Sequence, residues 1–187
     1  MHRVEAPVVL ADGKVRIRPY RAGDVDRVYE AVRASVAELT PWLDWCHEAY
    51  SRTESAAWIA SRPDAWTNAE AYSFAIVDVQ DGAFIGGCGL NQVNSMHGVA
   101  NLGYWVRSDR TGGGIATRAA KLAVRFGFET LGLHRIEILM QPTNRGSQRV
   151  AQKLGATREG RCRHRVTVDG TPRDVLLYAL IPSDLRT

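Results

Sequence analysis

The most informative part of the chain is the glycine-rich segment Arg107-Ser108-Asp109-Arg110-Thr111-Gly112-Gly113-Gly114-Ile115-Ala116-Thr117-Arg118. It lies between a β-rich run, residues 99–107, and a segment whose apolar residues recur with helical spacing from 115 to 131. Successive glycines are poor helix formers, but they allow backbone conformations that point several N–H groups at one place. Together with the positive end of the following helix, those groups predict a binding site for a phosphorylated ligand.

The two best-known phosphate motifs do not fit this turn. A P-loop requires Gly-Lys-Ser/Thr after four intervening residues, and a Rossmann turn requires G-x-G-x-x-G inside an early βαβ unit. The sequence has neither. Arg107, Arg110 and Arg118 surround the glycines, which favours an anionic ligand over a purely structural turn.

Outward from the turn, the pattern of apolar residues predicts a single α/β (α+β) domain over residues 1–187, with 1–12 loosely held. Strands are predicted at 14–20, 72–79, 84–93, 99–107, 135–140, 157–168 and 173–180, with hairpin turns at Asp81-Gly82 and Asp169-Gly170. Helices are predicted from Asp24 to just before Thr40, from Ser51 to a stop at Pro63, and over 115–131 and 146–154. This order predicts a mixed, largely antiparallel sheet of about seven strands with helices on both faces.

Composition restricts the class of protein. The net charge of +4 and pI near 9.2 suit a polyanionic ligand without identifying it. We find no apolar stretch of membrane-spanning length and no basic-then-apolar N-terminus, so a cytoplasmic protein without a membrane partner is expected. Cys46, Cys88 and Cys162 have neither disulfide nor zinc spacing, and no metal site is expected.

At the glycine turn the sequence resembles the GNAT acetyltransferases, whose coenzyme A loop reads Gln/Arg-x-x-Gly-x-Gly/Ala. Gly114 and Ala116 match that loop, whereas Thr111 takes the Gln/Arg place and Arg110 sits one residue early. The segment 144–155, NRGSQRVAQKLG, is similar to the Asn-x-x-Ser-x-x-Val/Leu-x-x-Lys-Leu-Gly-Phe signature of the RimI/RimJ/RimL-type branch, which acetylates N-termini of ribosomal proteins. The resemblance covers about residues 15–181 and implies a GNAT-like fold.

The resemblance implies acetyl-CoA as the cofactor and assigns the residues that bind it. Pantetheine would lie against the end of the strand before the turn, with a backbone N–H near Val106 facing the thioester oxygen. Asn144 would hold the cofactor arm, and Ser147 would donate a proton to the sulfur leaving group. The full cofactor-binding set is Trp105, Val106, Arg107, Thr111, Gly112, Gly113, Gly114, Ile115, Ala116, Thr117, Asn144 and Ser147.

The acceptor amine must lose a proton before it attacks, and Glu159 is the candidate base, with Asp174 and Glu137 as alternatives. Trp42 and Trp45 are candidates for the acceptor groove. Structural roles remain open for each: Asn144 as a helix cap with Ser147 on the first turn, Glu159 as a surface ion-pair partner, and the tryptophans as core.

Three functions are compatible with the sequence. The first is transfer of an acetyl group to a primary amine, namely the N-terminal amine of a protein such as a ribosomal protein, without a covalent enzyme intermediate. The second is acetylation of a small-molecule amine, an antibiotic or a polyamine, and the third is a non-catalytic CoA-binding module. A homodimer and a ribosome-associated substrate are left open. An arginine stripe of 161, 163 and 165 on one face of a strand would steer an acidic partner or RNA.

Overall fold

The computed structural model describes residues 8–168 and 170–186. Its eight-stranded sheet has the order β1-β2-β3-β4-β5-β6-β8-β7, and every neighbouring pair is antiparallel except β5 and β6. The strands are β1 (Leu10–Ala11), β2 (Val15–Pro19), β3 (Tyr72–Asp78), β4 (Phe84–Asn94), β5 (Val99–Val106), β6 (Arg135–Met140), β7 (Thr157–Val168) and β8 (Thr171–Leu180). The predicted fold class is confirmed. The sheet has one strand more than expected because the two residues of β1 pair with β2.

Helices cover both faces of the sheet. They are α1 (Val25–Arg33), α2 (Val36–Leu39), α3 (Arg52–Ala60), α4 (Arg62–Thr67), α5 (Ile115–Arg125), which a π-helical turn extends over Phe126–Thr130, and α6 (Arg145–Lys153). Neighbouring residues of β3 point to opposite faces. Phe74 and Ile76 join the core under α5 and α6, whereas Ala75 joins a second core under α1 to α3. The two faces of the sheet therefore carry separate hydrophobic cores.

The helical region before β3 differs from the prediction. The first predicted helix is interrupted at Ala34 and Ser35, because the Ser35 side chain is buried and its Oγ accepts a hydrogen bond from Ser108 N at 3.0 Å. Pro63 was predicted to end a helix, but it lies at the second position of α4. An N-terminal proline is tolerated there because the first N–H groups of a helix have no intrahelical partner.

The arginine stripe predicted on β7 falls on an irregular part of that strand. The pairing of β7 with β8 shifts register between Cys162 and Val166, and His164 has a positive φ of 50°. A bulge interrupts the alternation of side chains along a strand. Arg161 is also paired with Asp174, at 2.8 Å. Arg163 and Arg165 lie within this irregular segment, so a common face for the three arginines stays a prediction. In the following turn, Asp169 lies outside the described residues.

The feature that positions the functional site is the separation of β5 from β6. These two strands pair only from Val99–Arg135 to Asn101–Glu137, although β5 continues to Val106 and β6 to Met140. Beyond Asn101 the strands diverge and leave a gap in the middle of the sheet. The glycine turn follows β5 directly, so the gap and the turn meet at the same edge of the fold.

Candidate active site

A cavity of about 880 Å³ runs through the gap between β5 and β6. Its walls come from both faces of the sheet, which the gap connects. At one end are turn and helix residues: Arg110, Thr111, Gly112, Gly114, Ile115, Ala116, Thr117, Arg149 and Lys153. At the other end are residues from β2 to β5 and from around α2 and α3: Tyr20, Trp42, Asp44, Trp45, Tyr50, Glu54, Trp58, Gly87 and Trp105. Tyr104, Asn144 and Ser147 also line it.

The peptide groups of β5 provide the inner wall of the gap. Arg107 N donates to Ile85 O at 3.0 Å, so odd-numbered residues at this end of β5 direct their peptide groups toward β4. Alternation along a strand then directs the peptide groups of Tyr104 and Val106 the other way, toward the gap. Pairing with β6 has already ended at Asn101. An extended ligand arm could therefore pair with β5 as an additional strand would.

The glycine turn has the backbone conformation that an anion cradle requires. Gly112 and Gly114 have φ angles of 84° and 76°, in the left-handed region that other residues rarely adopt. A Cβ placed on either residue would meet no atom within 4 Å, because both glycines face open space. Gly114 is also the N-cap of α5. Side chains are thus excluded here by backbone conformation, and the space beside the backbone is left for a ligand.

The amide groups around this turn are available to a ligand. Among the described residues, the N–H groups of 112–117 have no hydrogen-bond partner, and intrahelical bonding begins with Arg118 N to Gly114 O. These six consecutive donors stand at the positive end of α5, which suits a diphosphate. Arg110 lines the same space and forms no ion pair with any described residue. The cradle therefore fits the pyrophosphate of acetyl-CoA.

Two predicted cofactor ligands are not brought to the cavity. The Arg107 guanidinium is paired with Asp109, at 3.0 Å, and its backbone N–H is used by β4. Gly113 likewise does not line the cavity. Arg110, at the end of the 3-10 turn over Ser108–Arg110, lines the cavity instead of Arg107. Gly113 has an N–H without a partner among the described residues, so its contact with the cofactor stays a prediction.

Ser147 has a partner that the sequence did not reveal. Its Oγ lies 2.9 Å from Tyr104 Oη, which also lies 3.2 Å from Ser147 O. Burial raises the pKa of Tyr104 to about 12, so its hydroxyl is protonated at neutral pH. Tyr104 can then donate to Ser147 Oγ while the Ser147 hydroxyl donates into the cavity. Alternation along β5 could have suggested Tyr104, because it faces the same side as Leu102, but sequence does not identify its partner.

Asn144 acts as the cap of α6. Its Oδ1 accepts a hydrogen bond from Ser147 N at 3.0 Å, as the structural alternative anticipated, and the residue also lines the cavity. The cap holds the first turn of α6 in place and with it the Ser147 side chain. Contact between Asn144 and the cofactor stays a prediction.

Glu159 is not positioned to act as the base. Arg135 binds it through two hydrogen bonds, of 2.7 and 2.5 Å, and neither residue lines the cavity. Those hydrogen bonds lower the pKa of Glu159, which makes it a weaker base. The alternatives are also engaged elsewhere, because Glu137 is bound to Arg135 and Asp174 to Arg161. β7 carries Glu159 onto the outer edge of the sheet, so the structure does not bring this carboxylate to the cavity, and the geometry gives no support to its predicted role as the base.

The end of the cavity away from the glycine turn, which we call the acceptor end, is aromatic and acidic. Trp42 and Trp45 line the cavity and are 36% and 39% exposed, and their contact with the acceptor stays a prediction. Trp45 packs edge-on against Trp105, with centroids 5.9 Å apart, on the face opposite Tyr104. Among the described residues, the carboxylates that line the cavity are those of Asp44 and Glu54, both at this end. The cations Arg110, Arg149 and Lys153 lie at the other end, so charge is separated along the cavity.

Comparison with protein families agrees with this geometry. The model of the acetyltransferase (GNAT) domain matches residues 14–157, more than half of the chain. The chain belongs to the GNAT acetyltransferase family. Its class of activity is therefore N-acetyl transfer from acetyl-CoA, which confirms the predicted family, enzyme class and cofactor.

Individual relatives of this GNAT domain differ in substrate. YjcK of Bacillus subtilis (strain 168), named as an N-acetyltransferase, is 36% identical over 62% of this chain and 64% of its own. The [ribosomal protein uS5]-alanine N-acetyltransferase of Escherichia coli (strain K12) is 30% identical over 61% of this chain and 59% of its own. The spermidine N(1)-acetyltransferase of the same strain is 25% identical over 87% and 83%. The chain thus spans less than two thirds of the length of YjcK and of the uS5-alanine N-acetyltransferase.

Solved structures support the same fold. Mycobacterium smegmatis RimJ in complex with CoA-disulfide superposes with a TM-score of 0.82 at 29% identity, covering 97% of this chain and 88% of that one. Within the described residues, no helix of the GNAT domain is long and apolar enough to cross a membrane. The same residues contain no group of three or more histidine, cysteine or acidic side chains that could hold a metal ion.

For the GNAT domain we predict that Glu159→Gln leaves kcat within about twofold of the wild-type value, because the carboxylate does not reach the cavity. Stability should fall by at most about 1 kcal/mol, as expected for a partly exposed ion pair. The measurement is kcat as a function of pH, with Glu129→Gln as a control at another surface pair. A loss of tenfold or more, confined to Glu159→Gln, would restore Glu159 as the base.

Proposed function

We propose that this GNAT domain transfers the acetyl group of acetyl-CoA to the N-terminal amine of a protein, such as a ribosomal protein. The observation that carries the proposal is that the Ser147 hydroxyl, held by Tyr104, lines the same cavity as the glycine turn and the aromatic side chains Trp42 and Trp45. A donor for the sulfur leaving group would then be available within the cavity that takes both substrates. A non-catalytic CoA-binding module would not require this arrangement.

The cofactor-binding role is assigned to the turn and to β5. The free amides of residues 112–117 and the Arg110 side chain would bind the pyrophosphate, and Thr111, Ile115, Ala116 and Thr117 form the wall around it. The gap-facing peptide groups of Tyr104 and Val106 would hold the pantetheine arm. Arg149 and Lys153 on α6 lie beside the same end and add positive charge.

The chemistry proceeds by direct attack. The neutral amine nitrogen forms a bond to the acetyl carbon, and the Val106 N–H stabilises the negative charge that develops on the carbonyl oxygen. The carbon–sulfur bond then breaks, and the sulfur takes a proton from the Ser147 hydroxyl, which Tyr104 supports by donating to Oγ. Water then returns a proton to Ser147 Oγ, so the enzyme regains its starting state. The amine loses its own proton to water, in a pocket where Asp44 and Glu54 attract the ammonium form.

A covalent enzyme intermediate is not part of the proposal. Cys88 lines the cavity, but it is buried and its Sγ contacts Ala119 O at 3.8 Å. Burial raises the pKa of this thiol far above its usual range. The reactive form of cysteine is the thiolate, so Cys88 is not a nucleophile at neutral pH.

A second acceptor class is favoured by a specific observation. Asp44 and Glu54 place negative charge at the acceptor end, which suits a cationic small molecule, and a relative of 25% identity is a spermidine N(1)-acetyltransferase. The ribosomal-protein acceptor is supported by the uS5-alanine relative and by the RimJ structure. We further predict that the protein is cytoplasmic. A ribosome-associated substrate and a homodimer are compatible with this proposal.

The two acceptor classes are separated by one assay. We expect release of CoA from acetyl-CoA with short peptides that carry a free N-terminal alanine, serine or methionine, at a kcat/KM at least about tenfold above that for spermidine. Mass spectrometry should locate the acetyl group on the α-amine, and N-formylated copies of the peptides serve as controls. Preference for spermidine would replace the peptide acceptor by the polyamine. Binding of acetyl-CoA without turnover of any amine would favour the binding module.

A further inference from the structure

Two polar side-chain atoms converge over Gly87 at the acceptor end of the cavity. A Cβ placed on Gly87 would overlap Tyr20 Oη and would lie 2.8 Å from Trp105 Nε1. Both atoms therefore border the space that the missing side chain leaves. Gly87 pairs with Trp105 across β4 and β5, which places the indole and the vacant position on one face of the sheet.

These two atoms are hydrogen-bond donors without a partner among the described residues. No described acceptor lies within hydrogen-bond reach of Tyr20 Oη or Trp105 Nε1, and neither atom is among the fully buried unpaired ones. Both side chains line the cavity, so both donors are accessible from it. An indole N–H can only donate, and burial raises the pKa of Tyr20 well above its usual value, so the phenol keeps its proton.

Packing holds both donors in position. The Tyr20 ring lies edge-on to Trp58, with centroids 4.7 Å apart, and the Trp105 ring contacts Trp45 and Phe84 at 5.9 and 5.8 Å. Rings held on two sides lose little entropy when a ligand binds. The arrangement is thus a preformed site for an atom that accepts two hydrogen bonds.

We propose that Tyr20, Trp105 and the open position at Gly87 bind the carbonyl oxygen of the peptide bond that follows the reacting amine. The inference rests on the proposed function and narrows its acceptor class. In a peptide, an α-amine has a carbonyl oxygen on the neighbouring carbon. A polyamine has only N–H donors in neighbouring positions and nothing to accept from two donors. The nearby carboxylates of Asp44 and Glu54 disfavour a free amino acid, whose carboxylate they would repel.

The test compares three acceptors that differ at one bond. The first is a trialanine amide, the second replaces its first peptide bond by an ester, which keeps the carbonyl, and the third replaces that bond by an (E)-alkene, which removes it. The wild-type kcat/KM should fall by about five- to fiftyfold for the alkene relative to the ester, since two donors lose their acceptor. Free alanine should be a poor substrate.

Variants of this site should remove the discrimination. Tyr20→Phe and Gly87→Ala should each bring the ester-to-alkene ratio to within about threefold of one, with acetyl-CoA affinity unchanged, because the cofactor cradle lies at the other end of the cavity. Tyr29→Phe and Gly160→Ala are matched controls, since neither residue lines the cavity and a Cβ on Gly160 meets no atom within 4 Å. If Gly87→Ala fails to fold, Tyr20→Phe still decides the question.

Three results would overturn the inference. Equal kcat/KM for the ester and the alkene in the wild-type protein would mean that the carbonyl is not bound, while the proposed peptide acetylation would stand. Discrimination that survives in Tyr20→Phe would place the carbonyl site elsewhere. Turnover of spermidine without turnover of any of the three peptide acceptors would overturn the proposed function as well.

Discussion

Ser147→Ala is expected to lower kcat by about ten- to a thousandfold while the Kd for acetyl-CoA changes by less than about threefold. The hydroxyl is the group placed to give a proton to the sulfur, and its loss removes an interaction that matters only as the carbon–sulfur bond breaks. The fold should be retained, because the α6 cap uses the backbone N–H of Ser147 and Asn144 Oδ1, neither of which changes. Steady-state kinetics and calorimetry measure the two quantities.

The control for Ser147→Ala is Gln152→Ala, at an exposed position of α6 that does not line the cavity. Tyr104→Phe serves as a graded companion. This variant removes the Tyr104 hydroxyl, so Ser147 keeps its own proton but loses the hydrogen-bond donor that supports its Oγ. The kcat should therefore fall by less than in Ser147→Ala. Wild-type turnover in Ser147→Ala would remove this residue from the mechanism.

Gly114→Val is expected to raise the Kd for acetyl-CoA by at least about a hundredfold. Two effects act together. A β-branched residue is strained at a φ of 76°, and its side chain would project into the open space beside the free amides, where the pyrophosphate is proposed to bind. Calorimetric titration with CoA and with acetyl-CoA measures the loss directly, without reference to turnover.

The effect of backbone strain on stability must be distinguished from the effect of a lost pyrophosphate site on cofactor affinity. Gly82→Val is the matched control for strain. Gly82 has a φ of 70° and, like Gly114, no atom within 4 Å of an added Cβ, but it lies in the turn between β3 and β4, away from the cavity. Both variants should lose similar stability, and only Gly114→Val should lose the cofactor. Unimpaired cofactor binding by Gly114→Val would mean that the cradle lies elsewhere.

The separation of charge along the cavity gives these predictions a common basis. Arg110, Arg149 and Lys153 lie where a phosphorylated cofactor would bind, and Asp44 and Glu54 lie where an ammonium group would arrive. Each substrate would therefore be attracted to a different end of the cavity that Ser147 lines. Opposite charges at the two ends also disfavour binding of either substrate in reverse.

The sequence by itself was sufficient for the features that depend on local chemistry. The glycine turn, the cap at Asn144 and the order of strands and helices from β3 onward all follow from short-range patterns, and the structure contains each of them. The same is true of the family, because its two motifs are contiguous segments. Local conformational preferences and hydrophobic periodicity act over a few residues, so they can be read without knowing what lies across the sheet.

Only the tertiary structure decided which side chains share the cavity. Glu159 was carried to an edge of the sheet and bound by Arg135, and Tyr104 was brought to Ser147, 43 positions later in the sequence. The two donors over Gly87 come from β5 and from the segment after β2, and Gly87 itself lies in β4. Such contacts depend on strand register, on the gap between β5 and β6 and on competition among ion-pair partners, which arise between distant segments and leave no local pattern in the chain.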